Sequence, residues 1–168
     1  MKNSLIILTV LIISNSALAQ QTFNPNTIHN WENSRYIINT NDTVLDKKTG
    51  LIWKKCAQGL SDSTCTTGSA TTLNWQQALS LANNSTFAGF SDWRLPNIKE
   101  LRSLAAYDRF SPVINSDVFP NTPVSFFWSS SPVVSSISDS WRFGFNNGRD
   151  NGSFRSNSVY VRLVRGGQ

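Results

Sequence analysis

Gly89-Phe90-Ser91-Asp92-Trp93-Arg94-Leu95-Pro96-Asn97-Ile98-Lys99-Glu100-Leu101 is the stretch around which this chain is organised. Pro96 disfavours helical backbone in the residue before it, so a helix does not arrive from upstream. Asn97 followed three places on by Glu100 has capping-box spacing, and Ile98, Leu101 and Leu104-Ala105 supply a buried stripe. Together they predict a helix that starts here. Asp92, Trp93 and Arg94 stand just ahead of it. An acid and an arginine beside a packed indole fix a loop by pairing. We therefore read Asp92, Trp93, Arg94, Pro96 and Glu100 as a structural motif.

Working upstream, Trp75, Ala78, Leu79 and Ala82 recur at helical spacing behind Asn74, which has Gln77 three places on. That is a second capped helix. Before it come three short extended segments, at residues 35–38, 43–46 and 51–54. Lys47-Lys48-Thr49-Gly50 joins the last two, and its glycine permits a tight hairpin. Working downstream, Phe126-Phe127-Trp128-Ser129-Ser130 reads as a strand. Trp141, Phe143 and Phe145 alternate with Arg142, Gly144 and Asn146 as a half-buried strand. Residues 146–152 have turn chemistry, and Val159, Val161 and Leu163 alternate in one final strand. Trp53, Trp75, Trp128 and Trp141 all fall on apolar faces and are expected in the core.

The first residues have the three parts of a secretory signal: Lys2, an apolar run over residues 5–13, and Ala17-Leu18-Ala19 as a small-x-small cleavage site. The run is near half the length of about 20 residues that a spanning helix needs. The expected organisation is a signal peptide over residues 1–19, a flexible lead-in over 20–34 carrying His29, and one domain over 35–168. An exported product, periplasmic, on the cell surface or extracellular, is the corresponding location. Cys56 and Cys65 are the only two cysteines. In an exported chain an even pair is read as a disulfide, and two cysteines without nearby histidines do not fill a zinc site.

The order Asp46-x-x-Thr49-Gly50-Leu51-x-Trp53, Cys56, Cys65, Trp75-x-x-Ala78, the 89–101 stretch, Phe127-Trp128-Ser129-Ser130-Ser131 and Tyr160-Val161-Arg162-Leu163-Val164-Arg165 resembles the Lcl C-terminal domain family. The likeness runs from about Tyr36 to Gly167. It implies a compact α+β domain of C-type-lectin-like kind, two helices packed on short antiparallel strands with long loops. In the collagen-like adhesin for which the family is named, the corresponding domain binds sulfated glycosaminoglycans and forms a trimer. A homotrimer is thus an expectation of the resemblance. No collagen-like Gly-x-y array is present here.

The charge is +5 and unevenly spread. From Ser140 onward Arg142, Arg149, Arg155, Arg162 and Arg165 face a single acid, Asp150. Guanidinium groups match oxyanion geometry, so these arginines are either a patch for an anionic glycan or a solvated basic edge. Arg149 and Arg155 lie in the exposed segment 145–158 and are the better contact candidates, because Arg162 and Arg165 belong to the terminal strand motif. Catalysis has little to draw on: His29 is remote from every motif, and no nucleophile elbow or phosphate-cradling loop occurs. Leu95-Pro96-Asn97 lacks the oxygen ligand of a calcium signature, and no metal or other cofactor is expected. The expected function is a non-catalytic, surface-associated binding module of adhesin or lectin-like class, with an anionic glycan as ligand. The alternative is a structural or accessory cell-envelope protein that binds another protein, such as a surface protein. Export argues against nucleic acid as a partner.

Overall fold

The computed structural model describes residues 21–24, 26–27 and 32–166. The expected export signal, residues 1–19, lies outside them, as does His29. In chain order the elements are β1 Thr22–Phe23, β2 Tyr36–Ile38, β3 Thr43–Asp46, β4 Leu51–Lys54, β5 Leu60–Ser61, β6 Thr67–Gly68 and β7 Thr72–Leu73. Then come the helices α1 Trp75–Asn83 and α2 Ile98–Ser103. They are followed by β8 Arg109–Phe110, β9 Phe126–Val133, β10 Ser136–Gly144, β11 Arg149–Phe154, β12 Val159–Tyr160 and β13 Val164–Gly166. This is a small α+β domain, mostly strands, with two helices.

Two sheets carry it. One has the order β11-β10-β9-β12-β7 and the other β13-β4-β3-β2, with the small pairs β1-β8 and β5-β6 beside them. The pairing is antiparallel except where β12 meets β9. Both helices begin with the capping boxes their sequences predict. Asn74 accepts from the Gln77 amide and Asn97 from the Glu100 amide, while each partner side chain bonds back to the cap.

Alternation along β9 sends its aromatics to opposite faces of the long sheet. Phe127 joins Phe143, Phe145, Leu101, Leu104, Val44 and Trp53 in the larger core, beneath α2. Trp128 joins Ala78, Ala82, Trp93, Leu95, Val161 and Leu163 in a second cluster, beneath α1. Each fully buried side chain of this size contributes about 1.5–3 kcal/mol of hydrophobic stabilisation. Cys56 and Cys65 form the expected disulfide, with Cα atoms 5.3 Å apart.

Part of the lead-in makes contacts with the domain: β1 pairs with β8, and the Gln21 amide donates to the carbonyls of Pro112 and Ile114, both at 2.6 Å. Two expectations change. The stretch read as turn over 146–152 turns only as far as Gly148, because β10 draws Arg149–Phe154 into a ladder from Gly144↔Arg149 to Asp139↔Phe154. The single final strand is two. Val159–Tyr160 belongs to the long sheet and Val164–Gly166 to the other, so the chain crosses between sheets at residues 161–163.

Candidate functional site

An open hollow of about 480 Å³ lies where α2 meets the β10-β11 hairpin, lined by Arg102, Tyr107, Trp141, Gly148, Arg149 and Asp150. Trp141 sits on β10 opposite Gly152, a partner with no side chain to cover the indole, and the ring is half-buried rather than in the core. Tyr107 is 49% exposed, and its hydroxyl lies 3.4 Å from the Gly148 carbonyl. Gly148 has φ +70°, and a Cβ there would come within 3.0 Å of the Tyr107 ring. Both the turn and the close approach of the ring therefore require glycine.

Arg102, in the last turn of α2, is ion-paired with Asp150 on β11 and ties the helix to the hairpin. Arg149 is exposed and has no carboxylate partner among the described residues. The hollow thus offers two aromatic surfaces, one paired guanidinium and one without an acid. Sequence reasoning missed Arg102 and Tyr107 and placed Trp141 in the core. The half-buried alternation at Trp141 was the only local signal, and it did not show which cross-strand neighbour the indole would have.

The structure does not gather the five arginines into one patch. Arg162 is fully buried; it donates to the carbonyls of Lys54 and Lys55 and to Thr122 Oγ1 at 2.7 Å. Burial pushes its pKa down to about 9, which leaves it charged at neutral pH. Arg165 is buried between the Phe90 ring, 3.9 Å from its centroid, and Asp92 at 2.7 Å. Both guanidinium groups are thus enclosed by the fold. Arg142 stacks on Phe126 at 4.1 Å, and desolvation lowers its pKa. Arg155 lies 4.3 Å over Trp75 and donates to Ser140 Oγ at 2.9 Å, so it too is committed to packing. Of the five, Arg149 alone lines the hollow.

The structural motif behaves as a lock, with different pairings from those its order suggests. Asp92 pairs with Arg165 across the fold, and Arg94 forks onto both Glu100 oxygens at 2.7 Å each. Trp93 is buried and donates to the Phe87 carbonyl at 2.9 Å. The serines after Trp128 complete the lock. Ser129 donates to the Trp141 carbonyl, Ser130 to that of Pro96, and Ser131 accepts from the Ile98 amide at the start of α2. Among the described residues no three His, Cys, Asp or Glu side chains converge as a metal site would require, and no helix is long and apolar enough to cross a membrane.

These features define a disulfide-bonded α+β domain whose helix-hairpin junction opens a surface hollow of rings and arginines. The chain belongs to the Lcl C-terminal domain family, whose sequence model matches residues 42–165. The match covers the five-stranded sheet, most of the four-stranded one, both helices and every residue of the hollow. No curated protein matches the chain.

Proposed function

We propose that this chain is an exported, surface-associated binding module of lectin-like class, without catalytic activity, and that its ligand is an anionic glycan held at the α2–hairpin hollow. The observation that carries this reading is the lining itself. Apolar sugar faces stack on rings such as Trp141 and Tyr107, while sulfate or carboxylate groups take charge-assisted hydrogen bonds from Arg149 and Arg102. The disulfide fits an oxidising compartment, and the α+β plan with long loops fits a C-type-lectin-like scaffold.

Heparin-affinity chromatography in a salt gradient is the direct measurement. Wild-type protein is retained, and Arg149→Ala with Tyr107→Ala weakens binding about tenfold, the effect of losing roughly 1.4 kcal/mol. Wild-type elution alongside a neutral protein of similar size, or unchanged elution of the double variant, overturns the reading. A second reading, a module that docks on an envelope protein, draws on one observation. Val134, Ile137 and Phe154 are 98%, 92% and 61% exposed at the far end of the β9-β10-β11 ribbon. Solvent-facing apolar side chains gathered in this way favour a partner surface. A stoichiometric partner recovered from envelope extracts, and lost with Ile137→Ser, distinguishes this from glycan binding.

A further inference from the structure

A second hollow, of about 210 Å³ and more enclosed than the first, is bounded by Asp42, Lys54, Cys56, Leu60, Ser61 and Phe87. None of these residues belongs to the α2–hairpin site. Its wall is largely apolar, formed by the Phe87 ring, the Leu60 side chain and the disulfide at Cys56. The space equals that of about seven water molecules, smaller than a drug-sized site.

One charged group on this wall lacks a counter-charge. The Lys54 ammonium donates to Gln58 Oε1 at 2.9 Å and lies 4.8 Å from the Phe87 ring centroid. It has no carboxylate partner among the described residues. Burial depresses its pKa, and the charge of Arg162 depresses it further. Arg162 itself is fully buried, bonded to the carbonyls of Lys54 and Lys55, and likewise without an acid among the described residues. The neighbouring Lys55 ammonium is paired with Asp42. Three cations thus gather at the end of β4 around one carboxylate. A net positive charge beside an apolar wall of low dielectric is costly, and an anion that enters offsets that cost.

We propose that this hollow binds a small monocarboxylate with an apolar tail, its carboxylate on Lys54 Nζ and its tail against Phe87, Leu60 and the disulfide. Asp42 on the same wall repels a second negative charge, which favours a monoanion over a phosphate dianion. A tail of about five or six carbons suits the volume, given that water occupies about 30 Å³ per molecule.

Titration of the full domain with hexanoate, hexanol and inorganic phosphate, followed by amide and side-chain NMR, tests this. Hexanoate produces saturable shifts at Lys54, Leu60, Ser61 and Phe87, binding at least tenfold more tightly than hexanol or phosphate. Lys54→Met, which keeps the aliphatic stem, weakens hexanoate at least tenfold. Absence of saturable shifts at these residues in the wild type overturns the proposal. So does hexanol or phosphate binding as well as hexanoate, or Lys54→Met binding hexanoate undiminished. The ligand comparison uses wild-type protein and does not depend on the variant's folding. Loss of heparin retention bears on the other hollow alone.

Discussion

The Asp46 carboxylate is fully enclosed yet accepts from Arg35 at 2.6 and 2.5 Å, from Thr49 Oγ1 at 2.7 Å and from the Lys48 amide at 3.1 Å. Burial alone would raise its pKa. The hydrogen bonds from Arg35 and Thr49 outweigh that and hold it below the ordinary carboxylate value. A depressed folded-state pKa contributes stability that is complete above the unfolded value near 4. That stability is lost as pH falls through the folded value. Asp46→Asn should therefore cost about 3 kcal/mol at pH 7, because it leaves the buried Arg35 guanidinium without its counter-charge. Its urea midpoint should also fall less between pH 6 and pH 3 than the wild type's. A midpoint unchanged at pH 7 contradicts this account. The spacing Asp46-x-x-Thr49-Gly50 was legible as a hairpin. Its partner was not, since Arg35 meets Asp46 only because β2 lies along β3. The arginines illustrate the same limit. In sequence Arg149, Arg162 and Arg165 are alike, and the rings of Phe119 and Phe90 decide which are buried.

The elements were most legible where local chemistry decides them. Both capping boxes, the β3–β4 hairpin and the start of β9 stand where the sequence places them, because a cap or turn is settled within four residues. β11 was not legible. Arg149-Asp150-Asn151-Gly152-Ser153 has poor strand propensity, and its conformation is imposed by the ladder to β10 and not by its own residues. The site inherits this difficulty, since it exists only once the hairpin closes against α2. Gly148 is the hinge of that closure. Gly148→Ala should cost about 1–2 kcal/mol, from the positive φ and from the crowding of Tyr107. It should also reduce heparin retention by displacing the Tyr107 ring. Full stability together with unaltered retention argues against this role for the turn.

At the scale of the whole molecule, composition and periodicity revealed an α+β domain with two helices among strands. Which strands share a sheet was beyond them, because β12 and β13 are separated by three residues and part company for different sheets. Stability at this scale also depends on the Cys56–Cys65 ring, with a sequence separation of 9. Cys56→Ser with Cys65→Ser should lower unfolding free energy by roughly 2.5 kcal/mol on the chain-entropy account, measured by denaturant titration under non-reducing conditions. A double variant as stable as the wild type removes that account. The position of β13 has a different kind of consequence. Val164 is bonded to Arg94 in both directions and lies beside Trp53, while Arg162 holds the carbonyls at the end of β4. A ribosome delivers these residues after the rest of the described domain. Until they emerge, Trp53 and Phe90 lack the contacts of Val164 and Arg165, and the long-range closure of the domain waits on them. A domain built this way completes its second sheet only when β13 arrives beside β4.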